Sequence, residues 1–187
     1  MLVFYNYASG QVKHRLSSRW SMAVALYNRK IFSAEYDSDQ RQHCIYEYCC
    51  RNQAQWTGRK VVSLGKNDWT TFVIRDNKLT CSMKATNEMR VYSLRGELLQ
   101  THRAAGGRGR GAGQLKAPYV TGHDDEGGVL IADHSSNRLQ VMSARGEFSV
   151  LQLEPQVSRP VGAVLWNSAL YVSSAGELTI AKFLPPA

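Results

Sequence analysis

Residues 128–147 read GVLIADHSSNRLQVMSARGE, and this stretch decides the fold. Its apolar, β-favouring run at 129–132 gives way to Asp133-His134-Ser135-Ser136-Asn137, which is turn chemistry. From Arg138 to Met142 polar and apolar residues alternate, and Arg145-Gly146 makes the next turn. The stretch is therefore two short strands joined by a polar loop. The same frame recurs fifty residues earlier, at 79–97, as LTCSMKATNEMRVYSLRGE. Asn87 matches Asn137, Val91 matches Val141, Ser93 matches Ser143, and Arg95-Gly96-Glu97 matches Arg145-Gly146-Glu147, with no gap. A period of this length marks supersecondary units stacked side by side, each sealing its neighbour's apolar face.

Outward from that stretch, the chain divides into units of the same kind. Residues 20–64 form a divergent unit: a strand from Met22, a turn at Asn28-Arg29-Lys30, a second strand from Ile31, a long polar turn after Asp37, and an alternating strand from Cys44. Residues 66–103 form the next unit, 114–153 the clearest, and 158–183 the last. The last unit stops at Leu184-Pro185-Pro186, one strand short. Residues 2–15 supply strands ahead of the first full unit, and their YNYASGQV echoes VYSLRGELL at the end of a later one. Together these predict that 2–15 completes 158–183, because one terminus finishing the other's unit removes exposed strand edges. No segment shows sustained helical periodicity. Turns at intervals of about eight to twelve residues predict an all-β chain, with residues 1–187 in a single domain.

Composition bounds the rest. With 43% hydrophobic and 10% aromatic residues the chain can bury a core. No apolar run approaches the ~20 residues of a membrane-spanning helix, so no membrane partner is expected. The opening Met1-Leu2-Val3-Phe4-Tyr5-Asn6-Tyr7 has no basic flank before its short apolar run, which makes a poor secretion signal and predicts a cytoplasmic protein. Cys44, Cys49, Cys50 and Cys81 lack zinc-ligand spacing and read as reduced thiols in strands. A net charge of +8 permits a polyanionic partner without demanding one. Residues 106–113, GGRGRGAG, are too glycine-rich for regular structure. They read as a flexible loop between units, with an RGG-like RNA-binding tract as the alternative.

Two groups of residues carry a family resemblance. Leu115-Lys116-Ala117-Pro118-Tyr119-Val120-Thr121 is one; Leu130-Ile131-Ala132-Asp133 with Asn137-Arg138-Leu139-Gln140-Val141 and Gly146 is the other. Together they resemble the NHL repeat, whose pattern is close to G-x-F-x-x-P-x-G-V, G-x-L-Y-V-A-D, N-x-R-I-Q-V-F and D-G. Pro160-Val161-Gly162-Ala163-Val164 and Leu170-Tyr171-Val172-Ser173 resemble a degenerate copy. The likeness is specific over 114–147, looser over 79–97 and 158–183, and weak before 62. It implies a β-propeller with one four-stranded antiparallel blade per repeat. Family propellers usually have six blades, whereas about four are countable here. The count favours a piece of a larger propeller over an unusually small closed one. The glycine-rich approach and terse last blade resemble the C-terminal propeller of tripartite-motif (TRIM) proteins, although the sequence shows no Cys/His array for a RING or B-box and no heptads for a coiled coil.

The repeat spacing also assigns a face. In a blade, the loop entering strand one and the loop between strands two and three lie on one side. Steps of fifty and then forty-nine residues back from Tyr119 reach Trp69 and Trp20, and each aromatic has a cation close by: Lys116, Lys66 and Arg19. Arg159 holds the matching loop of the last blade. The second loop adds Lys84 and Arg90, then His134, Asn137 and Arg138. Cations alternating with aromatics suit single-stranded or structured RNA, with stacking at ~1–3 kcal/mol per base. They equally suit an acidic protein segment, since Arg, Trp and Tyr are common interface anchors. Each residue also has a purely architectural reading: Trp20, Trp69 and Tyr119 as wedges between blades, Asn137 and Arg138 as pins bridging to the next blade, Asp133 as the cap of its turn.

The first functional reading is a non-catalytic recognition module, the substrate- or partner-binding propeller of a TRIM-like E3 ubiquitin ligase. The alternative is an RNA-binding propeller in post-transcriptional regulation. More remote is the zinc-dependent amidating lyase of an NHL-type propeller family, which needs several histidines converging on the central channel. His14, His43, His102, His123 and His134 are not matched by the repeat. No catalytic residue, metal site or small-molecule cofactor is expected.

Overall fold

The structure, a computed structural model, describes residues 2–5, 12–17, 21–52, 55–66, 70–103, 109–167, 169–174 and 177–183. Every element among them is a strand except one short 3-10 turn, His134–Ser136. No helix there is long and apolar enough to cross a membrane. β1 (Leu2–Tyr5) and β2 (Val12–Ser17) pair antiparallel as a hairpin. Blade I follows, with β3 (Ser21–Tyr27), β4 (Lys30–Asp37), β5 (Gln42–Asn52) and β6 (Gln55–Gly65). Blade II is β7 (Phe72–Arg75), β8 (Lys78–Met83), β9 (Glu88–Ser93) and β10 (Leu98–His102). Blade III is β11 (Pro118–His123), β12 (Val129–Asp133), β13 (Arg138–Met142) and β14 (Phe148–Val150). Blade IV contains β16 (Pro160–Trp166), β17 (Ala169–Ser174) and β18 (Glu177–Phe183), with β15 (Leu153–Glu154) on its outer edge. Four antiparallel four-stranded sheets thus form a four-bladed β-propeller, the fold class that the NHL resemblance implies.

The hairpin turns follow local chemistry. Asn28 and Arg29, and again Asp76 and Asn77, all adopt left-handed φ between 48° and 60°. That is the conformation a two-residue turn needs to match the twist of its strands, and Asn and Asp tolerate it best. Strand length varies between blades: β7 has 4 residues, whereas β5 and β6 each run for 11.

The largest correction concerns blade IV. Its outer strand is β15, not a segment of 2–15: Leu153 lies opposite Phe183 and Glu154 opposite Lys182, while β1 and β2 pair only with each other. Loop closure explains the outcome. The chain leaving β14 reaches the free edge of β18 after two residues, before it turns into β16. A local segment closes that edge at lower entropic cost than the distant end of the chain.

Consecutive blades pack face to face. Phe32, Ala34 and Ile45 of blade I meet Phe72, Leu79 and Cys81 of blade II. Met89 of blade II meets Val120 and Ile131 of blade III. Leu130, Ala132 and Leu139 of blade III meet Ala163, Leu170 and Val172 of blade IV. The inner strands β3, β7, β11 and β16 adjoin in that order. The repeat-matched Arg-Gly-Glu turns tuck against the preceding blade. A Cβ on Gly96, at φ 92°, would stand 2.1 Å from the Val61 carbonyl oxygen of β6. One on Gly146, at φ 85°, would stand 2.3 Å from the His102 ring of β10.

Candidate binding face

The predicted face is built from two repeated loops. Asn87 and Asn137 end the loops after β8 and β12, both with left-handed φ. Their side-chain oxygens accept hydrogen bonds from the backbone N–H of Ala117 and of Arg159, each at 2.9 Å. Ala117 and Arg159 are themselves left-handed and each precedes a proline, Pro118 or Pro160, that opens the next inner strand. So each asparagine closes its own turn and latches the loop entering the following blade. Asn137 takes the bridging role of the two readings the sequence left open.

Behind that loop lies a polar knot. Asp133 is fully buried. Its Oδ1 accepts from the Lys116 backbone N–H at 2.6 Å, and its Oδ2 from Arg138 Nε at 2.9 Å and Gln140 Nε2 at 3.1 Å. It makes no side-chain cap on the 3-10 turn, contrary to the sequence expectation. The carboxylate is drawn instead to a cation and to amides of the neighbouring loop. Arg138 also donates to the carbonyls of Gln114 (2.6 Å), Gly111 (3.0 Å) and Arg110. With its side chain only 12% exposed, Arg138 is committed to architecture rather than to the face. The knot reaches the glycine-rich tract, where Gly113 N–H donates to Gln140 Oε1 at 2.8 Å. Residues 109–113 are therefore a held turn rather than a slack loop.

Side chains from two consecutive blades meet in front of this frame, with Arg159 of the next blade's entry loop close enough to act on His134 through its charge. Lys84 Nζ donates to Tyr119 OH at 3.0 Å and lies 5.1 Å from the ring centroid. His134, fifty residues after Lys84 and at the same blade position, meets the Tyr119 ring edge-on at 5.8 Å. Burial pushes the His134 imidazole below its usual pKa, and the positive charges of Arg159 and Lys84 push it the same way. Tyr119 combines both of its readings, since its ring also rests on the III–IV core. Beside this cluster a groove of about 360 Å³ is lined by Arg110, Lys116, Ser135, Ser136 and Asn137. The two parts are continuous, with His134 Nδ1 3.4 Å from Ser135 Oγ.

The other predicted residues fare differently. Arg90 Nε donates to Glu88 Oε1 at 2.7 Å, and Arg103 Nε to Oε2 at 2.9 Å. Burial would raise the Glu88 carboxyl, but the hydrogen bonds and charges of Arg103 and Arg90 outweigh it and hold the pKa below the ordinary value. Arg90 is thus a partner of a buried acid. Lys66 is exposed at the end of β6. Arg19, Trp20 and Trp69 lie outside the described residues. Arg110, Ser135 and Ser136 were missed, and the Gly-Arg-Gly spacing was the available signal for Arg110. His43 lies by Tyr36 and His134 by Tyr119, whereas His102, beside Phe148, and His123 line one groove together with Arg75.

No protein-family model matches the chain, and no curated protein does so by sequence. Solved structures do. A gluconolactonase from Xanthomonas campestris superposes with a TM-score of 0.65 at 11% identity, covering 96% of this chain and 64% of its own. A catalytically inactive virginiamycin B lyase from Staphylococcus aureus, solved with quinupristin, gives 0.56 at 13% identity, covering 87% and 55%. The computationally designed Ika4 protein gives 0.53 at 12% identity, covering 90% and 94%. At these identities the likeness is one of fold. The chain spans about half the length of the lyase and just under two thirds of the lactonase.

Proposed function

We propose that this chain is a non-catalytic recognition module whose Lys84–Tyr119–His134–Arg159 face binds an acidic segment of a partner protein. In the setting implied by the likeness to TRIM propellers, that partner is the substrate of a ubiquitin ligase. One observation favours a peptide over RNA. Tyr119 is not a free stacking platform, because Lys84 bonds its hydroxyl and lies over its ring while His134 meets its edge. What the cluster offers an incoming group is cationic and hydrogen-bonding, and glutamate or aspartate side chains match that chemistry.

The test is a titration of the chain with a fluorescent glutamate-rich peptide and, in parallel, with a single-stranded oligouridine at matched salt. The peptide is expected to bind more tightly, and Lys84→Glu combined with Arg159→Glu should weaken it by about tenfold or more, or ~1.4 kcal/mol. Preference for the oligonucleotide would move the assignment to RNA. An unchanged peptide affinity in the double variant would remove this face from consideration.

A further inference from the structure

The groove beside the tyrosine cluster holds two cations and no acid. Arg110, Lys116, Ser135, Ser136 and Asn137 line it. Arg110 and Lys116 are exposed, and among the described residues no ion pair engages either of them. Two positive charges on one groove raise its potential and favour an anion between them.

The backbone beneath these side chains is fixed. Arg138, held by its ion pair with buried Asp133, donates to the Arg110 and Gly111 carbonyls. Asp133 accepts from the Lys116 N–H, and the Lys116 carbonyl accepts from the Ser135 N–H at 3.0 Å. A further bond, from the Gln114 N–H to the Gly111 carbonyl at 3.1 Å, closes the glycine-rich turn. One buried ion pair therefore sets the roots of both cations and of the Ser135 hydroxyl. Donors placed in advance lose less freedom when a ligand arrives. The repeat does not require all of this chemistry. Asn137 is matched by Asn87, which makes the same latch. Ser135 is matched by Ala85, so its hydroxyl is no requirement of the loop.

The donors also discriminate among anions. A carboxylate brings one charge and two oxygens, and so answers one cation. A phosphate monoester brings about −1.5 to −2 charge near pH 7 and three strong acceptor oxygens, which answer two cations and the hydroxyls beside them. No aromatic ring lines the groove to stack a base, which favours a phosphate carried on a peptide over one in RNA.

We propose that this groove takes a phosphorylated serine or threonine of the acidic partner segment. Arg110 and Lys116 neutralise the phosphate, and Ser135 and Ser136 donate to its oxygens. The inference rests on the reading of the adjoining cluster as a peptide site, to which the groove is joined by His134 Nδ1 at 3.4 Å from Ser135 Oγ. Phosphorylation of the partner then decides whether it is held.

The experiment starts from the fluorescent glutamate-rich peptide and replaces one glutamate at a time, at every position, by phosphoserine. Affinities are measured at matched salt and a pH of about 7.5, where the phosphate is a dianion. The native chain is compared with an Arg110→Ala, Lys116→Ala double variant, which keeps the backbone bonds of both residues and is checked for fold by circular dichroism. In at least one register phosphoserine is expected to bind about tenfold more tightly than glutamate, and the double variant to bring that ratio to about one. A second arm needs no peptide. Free phosphoserine is expected to shift the amide signals of Gly109, Gly111, Ser135 and Ser136 in the native chain and not in the double variant. A parent peptide that binds while no register gains would overturn the inference and leave the acidic-segment reading standing. No binding by any peptide, with the phosphoserine shifts present, would support the groove and overturn the reading of the cluster beside it. A gain that survives in the double variant would overturn the inference by placing the phosphate elsewhere. Oligouridine bound more tightly than every phosphopeptide, and weakened by the same variant, would overturn it in favour of a nucleic-acid backbone.

Discussion

His134 shows what a single side chain decides on this face. Its pKa is lowered from 6.5 by burial first and by Arg159 and Lys84 second. An imidazolium there would add a third positive charge beside two others. The neutral ring therefore contributes stability that is fully present above about 6.5 and lost as pH falls through the lower folded value. A bound carboxylate reverses the local field and favours the protonated ring, so binding an acidic peptide takes up a proton. Affinity for a glutamate-rich peptide is expected to rise as pH drops from about 7.5 to about 6, a range in which glutamate stays ionised. Calorimetry in two buffers of different ionisation enthalpy reads the proton uptake. His134→Gln should flatten the pH slope, and a slope unchanged in that variant would show that another group titrates.

At the scale of strands and turns, the propeller is held by small devices repeated from blade to blade. The Arg-Gly-Glu turn is one. Gly96 combines φ 92° with a carbonyl oxygen where a methyl group would go, and backbone cannot move aside cheaply. Gly96→Ala is expected to cost about 2 kcal/mol or more. Gly146→Ala should cost less, because the His102 ring can rotate away. Urea unfolding of the two variants checks the order. These turns were legible in the sequence, as were the fifty-residue spacing, the inner hairpins and the side of the sheet on which Lys84, Tyr119, His134 and Arg159 lie. The direction a side chain takes within its loop was not legible. Arg138 opens β13 after a polar loop, two positions before Gln140, and its spacing looks the same whether it reaches outward or back. Only the buried carboxylate of Asp133 and the carbonyls of 110, 111 and 114 decide that it turns inward. Asp133 is drawn the same way, toward the Lys116 amide rather than its own turn.

For the molecule as a whole, counting strands gave the number of blades and showed that one edge needed filling. It could not say which free segment would arrive first, and loop closure chose β15 over 2–15. The same limit applies to the exposed residues of blade IV, such as Val164, Leu178 and Ile180, which alternate in sequence like the buried residues of blades II and III. Exposure separates them only once the blades are placed. β15 also has a consequence for a severed chain. It leaves blade III and ends as the border strand of blade IV, so the backbone between Glu154 and Pro160 is not what keeps the two together. A protease site introduced at the exposed Pro155–Gln156 step should be cut without the fragments parting. The pair is expected to elute as one species in native buffer and to separate only in denaturant, and two such fragments expressed apart should find each other by strand complementation.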